Sequence, residues 1–240
     1  MRTPYGLEII ETCLRCKLRV GRLFCDLPRA TLEALQTLGF SIACPKGAIL
    51  FAQGQSPREI FVLCQGHVKI SMASQTGKGF CLGIAEPGTV LGLSAAISGK
   101  PHEVTVEAVE PCQLRLIDRD RVLGLLRNDG AACLAAIRCL CNDVHKTHGC
   151  LRLLGLSHSA TEKLAKVLVH WSMRERDKAS KSIRLTVPLT EQELANMLGV
   201  ARETVTRLLT DFKQKNLVQR HGSNVVIQDE HALRALSSSA

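Results

Sequence analysis

Residues 190–227 constrain this chain most. Thr190 is followed three residues later by Glu193, a capping box in which each side chain satisfies an orphan backbone N–H of the other. The spacing predicts a helix over Glu191–Leu198, with Leu194, Ala195 and Leu198 turned inward. Gly199 stops it, since glycine enters the left-handed region without a Cβ penalty. A second helix is predicted from Arg202 to about Lys215, with Val205, Leu208, Leu209 and Phe212 on its inner face. Two short helices held at an angle around a glycine turn form a helix-turn-helix. Leu217–Arg220, the turn at residues 221–224 and Val225–Ile227 then read as a β-hairpin wing.

The second helix carries its polar residues early and on one side: Arg202, Glu203, Thr206 and Arg207. A recognition helix meets base edges with its N-terminal residues. Arginine pairs bidentately with guanine and glutamate accepts from cytosine N4. Lys213, Lys215 and Arg220 are placed to meet phosphates. The alternative for such a segment is a helical hairpin with a solvated charged face. Capping box, glycine turn, early basic residues and following hairpin together favour double-stranded DNA as the partner. The net charge of +9 suits a polyanion, although it is spread along the chain and not gathered in this segment.

Upstream, the pattern changes twice. Residues 29–40 predict a short helix through Leu32, Leu35 and Leu38. Between about 44 and 118, short apolar segments alternate with glycines at 54, 66, 77, 79, 88 and 99. The segments are Ala48–Phe51, Ile60–Cys64, Val68–Met72, Phe80–Ile84, Val104–Ala108 and Gln113–Ile117. Short strands with regular turn signals indicate a β-barrel or roll. Asp118 caps a short helix over Arg119–Leu126. A long helix follows Gly130 to about Leu154, closed by Gly155. Along it Leu134, Ile137, Cys141, Val144, His148 and Leu151 recur at alternating three and four, a heptad seam. Such a stripe is buried by the chain's own β-domain or by a second copy of itself, and the heptad spacing favours a homodimer. His148 on that seam reads either as a hydrogen-bonded interface histidine or as a pH-sensitive pair across the dimer. Ser157 and Ser159 offer caps for a helix over Ala160–Met173, and the polar residues 174–182 read as a solvated loop.

The fold class is therefore α+β: an N-terminal jelly-roll-like β-roll, a long dimerisation helix and a C-terminal winged helix-turn-helix. The expected divisions are 1–28, a cysteine-containing segment; 29–128, the roll; 129–156, the long helix; and 157–240, the DNA-binding domain. No run approaches the roughly 18 to 20 apolar residues of a membrane span. The first ten residues hold Glu8 and no long apolar stretch, so neither a membrane partner nor a signal peptide is expected, and the expected compartment is the cytoplasm. No paired-carboxylate motif, phosphate-binding Gly-Lys loop or nucleophile elbow is present, so an enzyme reading would rest on cysteine count alone.

The run Leu198-Gly-Val-Ala-Arg-Glu-Thr-Val-Thr-Arg-Leu-Leu209 resembles the recognition motif of the CRP/FNR family of bacterial transcription regulators. The roll resembles that family's cyclic-nucleotide-binding-like domain through Pro45-Lys46-Gly47, Gly54, Ile60-Phe61-Val62-Leu63, Gly66-His67-Val68-Lys69 and Pro87-Gly88. The resemblance spans nearly the whole chain. It implies a homodimer on a palindromic promoter site, an effector sensed by the N-terminal region, and RNA polymerase as a partner. It carries base reading to Arg202, Glu203 and Arg207, with Thr206 as a variable contact, and implies half-sites resembling TGTGA.

The sensing side departs from the family pattern. The family's cyclic-nucleotide pocket uses a Gly-Glu and an Arg-Ser pair, and this chain has Gly92-Leu93 and His102-Glu103. Leu93 offers nothing to a ribose hydroxyl and Glu103 repels a phosphate, which argues against cyclic AMP. Eleven cysteines are many for a reducing compartment, where a disulfide framework does not persist. Cys13, Cys16 and Cys25 resemble the N-terminal cysteine group of the oxygen-sensing FNR branch, which implies a 4Fe–4S cluster and a fourth thiolate. That branch has its fourth cysteine where this chain has Arg115. Cys112, three residues earlier, is the expected substitute. Zinc on some of these cysteines, or ordinary thiols, are the alternatives. Cys44, Cys64 and Cys81 are expected to be small core residues.

Overall fold

The computed structural model describes residues 5–16, 19, 21–22, 24–75, 79–174, 183–186, 190–221 and 224–237. They divide into two compact units, 1–146 and 147–240.

In the first unit, a 3-10 turn at Cys13–Arg15 precedes helix α1 (Arg29–Leu38). Strands β1 (Gly39–Cys44), β2 (Ile49–Phe51), β3 (Glu59–Gln65), β4 (Val68–Ala73), β5 (Gly79–Ala85) and β6 (Val90–Leu91) follow. Then come α2 (Leu93–Ser98), β7 (Thr105–Ala108), β8 (Cys112–Asp118) and α3 (Arg119–Asn128). Every strand pairing is antiparallel. Two four-stranded sheets result, ordered β1-β8-β3-β6 and β2-β7-β4-β5. Among the expected turn glycines, 54, 66, 88 and 99 have positive φ. Gly79 instead opens β5, and Gly77 lies outside the described residues.

Strand alternation gives the first sheet two buried faces. Phe61, Leu63, Cys112 and Leu114 point into a core shared with Phe51, Val68 and Val106 of the second sheet. Ile60, Val62 and Ile117, one residue out of phase, point the other way, into a core shared with Phe24, Leu32, Leu35 and Val122. A residue's parity along β3 or β8 therefore decides whether it meets the roll interior or the helices. Asp118 caps α3 as expected, its carboxylate accepting from the N–H groups of Asp120 and Arg121 at 3.0 and 3.1 Å.

Helix α4 (Gly130–Leu156) begins in the first unit and ends in the second. It includes Gly155, so that glycine is not its stop signal. The second unit continues with α5 (Ala160–Arg174), β9 (Ile183–Thr186), α6 (Glu191–Leu198), α7 (Arg202–Gln214), β10 (Val218–His221), β11 (Asn224–Ile227) and α8 (Glu230–Ser237). Ser159 caps α5 by accepting from Glu162 N at 3.1 Å. The wing has three strands, ordered β10-β11-β9, one more than the expected hairpin. The expected loop after α5 lies outside the described residues from 175 to 182. No helix among the described residues is long and apolar enough to cross a membrane.

Candidate functional site

The α6–α7 pair is fixed from its ends inward. Both halves of the capping box form: Thr190 Oγ1 accepts from Glu193 N at 3.2 Å, and Glu193 Oε2 accepts from Thr190 N at 2.8 Å. Gly199 takes φ +66° and turns the chain, with Val200 N donating to Ala195 O at 3.0 Å. Leu194, Ala195 and Leu198 on α6 and Val205, Leu208, Leu209 and Phe212 on α7 are buried. At the far end Asn216, the one described non-glycine residue with positive φ (55°), releases the chain into the wing.

This packing leaves the opposite side of α7 outside. Arg202, Glu203, Thr206 and Arg207 are all exposed and line one shallow concavity. Thr206 is already engaged: its hydroxyl donates to Glu191 Oε2 at 2.5 Å, across the two helices. In the free protein it ties α7 to α6, a contact between residues 15 apart that no local pattern marks. Lys213 lines a second groove with Glu191 and Val225. Arg220 sits in β10 opposite Val225, and its side chain lies outside those described.

Helix α4 has two apolar faces. Ala135, Ala136 and Cys139 pack into the helical core of the first unit. The heptad residues lie elsewhere on the helix and are uncovered: Leu134, Ile137, Val144 and Leu151 are 48%, 50%, 51% and 61% exposed, and Cys141 and His148 are exposed with them. The sequence pattern left open whether the roll or a second copy buries this stripe. The roll takes the small-residue face and leaves the stripe open.

In the roll, the space beside Gly92 is filled by His102 and Phe51. His102 is 5% exposed and stacks on Phe51 with ring centroids 3.9 Å apart. A Cβ at Gly92 would meet His102 Cε1 at 3.1 Å. Leu93 is buried in the helical core and Glu103 is exposed. Burial holds the His102 imidazole below its ordinary pKa.

All eleven cysteines are free thiols. Cys112 does not join the N-terminal group. It points into the roll, where its thiol donates to His67 O at 3.3 Å and Glu110 O at 3.2 Å and it faces Cys44 directly across β1 and β8. The cause is parity. Arg115 is three residues further along β8, and an odd separation puts the two side chains on opposite faces. Cys44 and Cys81 are buried as expected. Cys64 differs from that expectation: it is half-buried, within electrostatic reach of Cys13 and Cys16, on the face where Gln65 meets Glu8.

The N-terminal segment reaches this face through three glutamines. Gln65 Nε2 donates to Glu8 O at 3.0 Å. Gln113, fully buried, accepts from Ile10 N and donates to Ile10 O, both at 2.8 Å. Gln36 Oε1 accepts from Thr12 Oγ1 at 2.9 Å and Cys13 N at 3.0 Å. Cys25 is pushed up to about 12, first by burial and then by the neighbouring Cys64, Cys13 and Cys16. Cys64 is pushed up to about 11, again first by burial, against the pull of Arg115. Among the described residues, no three His, Cys, Asp or Glu side chains are drawn close enough to hold a metal ion as they stand. Cys13, Cys16 and Cys64 are the thiols within electrostatic reach of Cys25, whereas Cys112 belongs to the roll interior on the other face of the sheet.

A roll of two antiparallel sheets, a long helix with an uncovered apolar stripe, and a winged helix-turn-helix with exposed early arginines define a DNA-binding regulator with a sensor domain. The comparisons agree with that class. Residues 42–129 match the cyclic nucleotide-binding domain and residues 162–236 the Crp-like helix-turn-helix domain. The chain is 24% identical over 204 residues to a CRP-like cAMP-activated global transcriptional regulator of Mycobacterium tuberculosis, covering 85% of this chain and 89% of that one. It is 28% identical over 192 residues to the transcriptional activator protein Anr of Pseudomonas protegens, covering 80% and 78%. The structure of FixK2 from Bradyrhizobium japonicum matches the fold with a TM-score of 0.74 at 19% identity, covering 84% of this chain and 98% of that one. The chain belongs to the CRP/FNR family of transcription regulators.

Proposed function

We propose that this regulator binds a two-fold symmetric promoter site as a homodimer, reading bases with Arg202, Glu203 and Arg207. The observation that carries the reading is the sidedness of α7. Its apolar face is locked into the domain while its N-terminal polar residues stand together in solvent. Thr206 contributes by holding the helix against Glu191. Lys213 and Arg220 meet phosphates. Pairing through the α4 stripe presents two recognition helices to two half-sites. The setting is the cytoplasm, and RNA polymerase is the further partner of a promoter-bound regulator.

The signal enters through the N-terminal cysteines. Occupation of the roll by a cyclic nucleotide is disfavoured because His102 and Phe51 fill the space beside Gly92. The thiols instead suit an iron–sulfur cluster or zinc; a 4Fe–4S cluster, when bound, supplies sensitivity to oxidants. Cys13, Cys16 and Cys25 would hold that group, and Cys13 and Cys25 pack on the core that α1 and α4 share.

The DNA reading is tested with a duplex carrying two inverted TGTGA-like half-sites and a scrambled control. Arg202→Ala and Arg207→Ala are each expected to lose about 1–3 kcal/mol of discrimination, or about 5- to 150-fold. Lys213→Ala should weaken both duplexes alike and reduce the salt slope by about one. Unchanged preference in both arginine variants overturns the assignment.

A further inference from the structure

The first observation is where β3 sends its last side chains. Ile60 and Val62 lie in the helical core, and Phe61 and Leu63 in the roll interior. Cys64 is the extra residue at a register shift between Leu63 and Gln65 in the pairing of β3 with β8, and it lies within electrostatic reach of Cys13 and Cys16, on the face where Gln65 meets Glu8. A bulge of this kind re-aims a side chain and loosens the ladder locally. The residues on either side of Cys64 pair with Leu114 and Gln113.

The second observation is what is brought over that face. Glu8 to Cys13 are tied down by Gln65, Gln113 and Gln36, as described above. The 3-10 turn then sets Cys13 and Cys16 at its two ends, with Cys16 N donating to Cys13 O at 3.2 Å. Further tight turns, Arg22 N to Arg19 O at 3.1 Å and Cys25 N to Arg22 O at 2.8 Å, bring Cys25 back to the same core. Cys13 and Cys25 thus pack on the same helical core as Ile60 and Val62 of β3, with Cys16 at the end of the turn that starts at Cys13.

The third observation is an unbalanced charge. Arg115 is 5% exposed, and its hydrogen bonds go to neutral oxygens: Gln36 O and Gly39 O at 3.1 Å and Ser41 Oγ at 3.4 Å. Its Nε is buried with no partner, and among the described residues it has no carboxylate. A buried, uncompensated guanidinium is costly. Arg115 has the helical parity of Gln113 and Ile117, and its neighbour in the ladder is Val62, two residues from Cys64. Arg22, whose side chain lies over Gly88, also acts on Cys25 by its charge. Four thiolates outweigh a divalent zinc ion or the doubly positive core of a cluster, so a filled site is net negative. That charge is what Arg115 lacks.

We propose that Cys64 is the fourth thiolate of a metal centre formed with Cys13, Cys16 and Cys25, and that Arg115 is its buried counter-charge. The proposal rests on the reading that the N-terminal cysteines are the sensor. It names the ligand that the sequence misplaced: the cysteine and the arginine sit on adjacent strands, with the thiol on β3 and the cation on β8. Binding couples the N-terminal segment to β3, since closing the site draws the turn at Cys13–Arg15 and Cys25 onto the bulge.

The experiment uses the full chain, purified without oxygen and loaded in separate arms with ferrous iron plus sulfide or with zinc. Bound metal and the absorption spectrum are read after desalting. The arm that fills identifies the metal. Cys64→Ala should retain at least about tenfold less of it than wild type, since even outer-shell changes at such sites cost about 10- to 100-fold. Cys112→Ala should retain wild-type amounts. Circular dichroism checks that both variants fold. An independent readout needs no variant: loaded wild type is treated with a thiol alkylator before and after a chelator, and labelled sites are mapped by mass spectrometry. Cys64 should gain labelling on chelation together with Cys13, Cys16 and Cys25, while Cys112 should not. Loaded wild type whose Cys64 stays equally labelled before and after chelation, or a Cys64→Ala protein that keeps its metal, overturns the proposal while leaving an N-terminal metal sensor standing. A wild-type chain that takes up neither metal overturns both.

Discussion

Cys44 and Cys112 occupy facing positions of an antiparallel ladder, and the two thiols behave as one group. Hydrogen bonding of the Cys44 thiolate with the side chain and backbone N–H of Cys112 holds Cys44 down to about 7 from its ordinary 9.0 despite burial. The same hydrogen bond pushes Cys112 up, with burial and the nearby charges of Cys44 and Glu110 acting in the same direction. In the folded protein one proton leaves early and the other late. The Cys44 contribution is present above the unfolded value and is lost as pH falls through about 7. The Cys112 contribution has the opposite sign and is lost as pH rises beyond the unfolded value. Stability from the pair should rise between pH 7 and 9 and fall beyond it. A direct check is the rate of iodoacetamide labelling of Cys44 by mass spectrometry, because the thiolate is the nucleophile. Its midpoint should lie near pH 7 and move up in Cys112→Ala; an unmoved midpoint removes the pairing as the cause. The same residues show what the sequence conceals. Cys112 is near Arg115 in number and was therefore the natural substitute for a missing ligand, yet three steps along a strand reverse the face. Cys64 is 51 positions from Arg115 in the chain and one ladder rung from its neighbourhood. Parity was readable in the sequence; the pairing of β3 with β8, which gives parity its meaning, was not.

At the scale of elements, those with chemical punctuation were legible. Helix α6 begins at a capping box and ends at a left-handed glycine, and both its limits follow from those residues. Helix α3 likewise starts at Asp118. Two elements that escaped notice lack such marks. Helix α2 has six residues between Gly92 and Gly99, both left-handed, with no side-chain cap. Strand β9 has four residues and becomes a strand only by pairing with β11. The punctuation can be tested. Trp171, the one tryptophan, lies in α5 of the second unit, so its fluorescence reports unfolding there. Thr190→Ala should lower stability by about 1 kcal/mol. A Cβ at Gly199 has room, its nearest neighbour being Leu154 Cδ2 at 3.5 Å, so substitution there costs only backbone strain. Gly199→Ala should lose about 1–2 kcal/mol, and Gly199→Asn less, because asparagine tolerates this region. Denaturant midpoints that rank alanine above asparagine would show that the turn does not keep its left-handed form.

At the scale of the whole molecule, the two faces of α4 separate folding from association. Ala132, Ala135, Ala136 and Cys139 are buried at spacings of three, one and three, which is one helical face. Small side chains there let the helix lie close to its own roll. Leu134, Ile137, Val144 and Leu151 are large, apolar and about half or more exposed, an arrangement a lone chain does not stabilise. A two-fold partner covers such a stripe with the same residues, as an isologous interface requires. Charge placed on the stripe should therefore break the dimer and spare the fold. Leu134→Glu combined with Ile137→Glu is expected to sediment as a monomer with unchanged circular dichroism, since the alanine face is untouched. On DNA the loss should be specific. The symmetric two-site duplex benefits from linkage of two recognition helices, which raises avidity by about 10²- to 10⁴-fold over one contact. The double variant should bind that duplex no better than a single half-site, while its half-site affinity stays near that of wild type. Ala136→Leu reverses the pattern: it overfills the inner face and should cost about 1–3 kcal/mol of stability in the first unit. If the double glutamate variant stays dimeric in sedimentation, the open stripe of α4 is not the surface that pairs two copies.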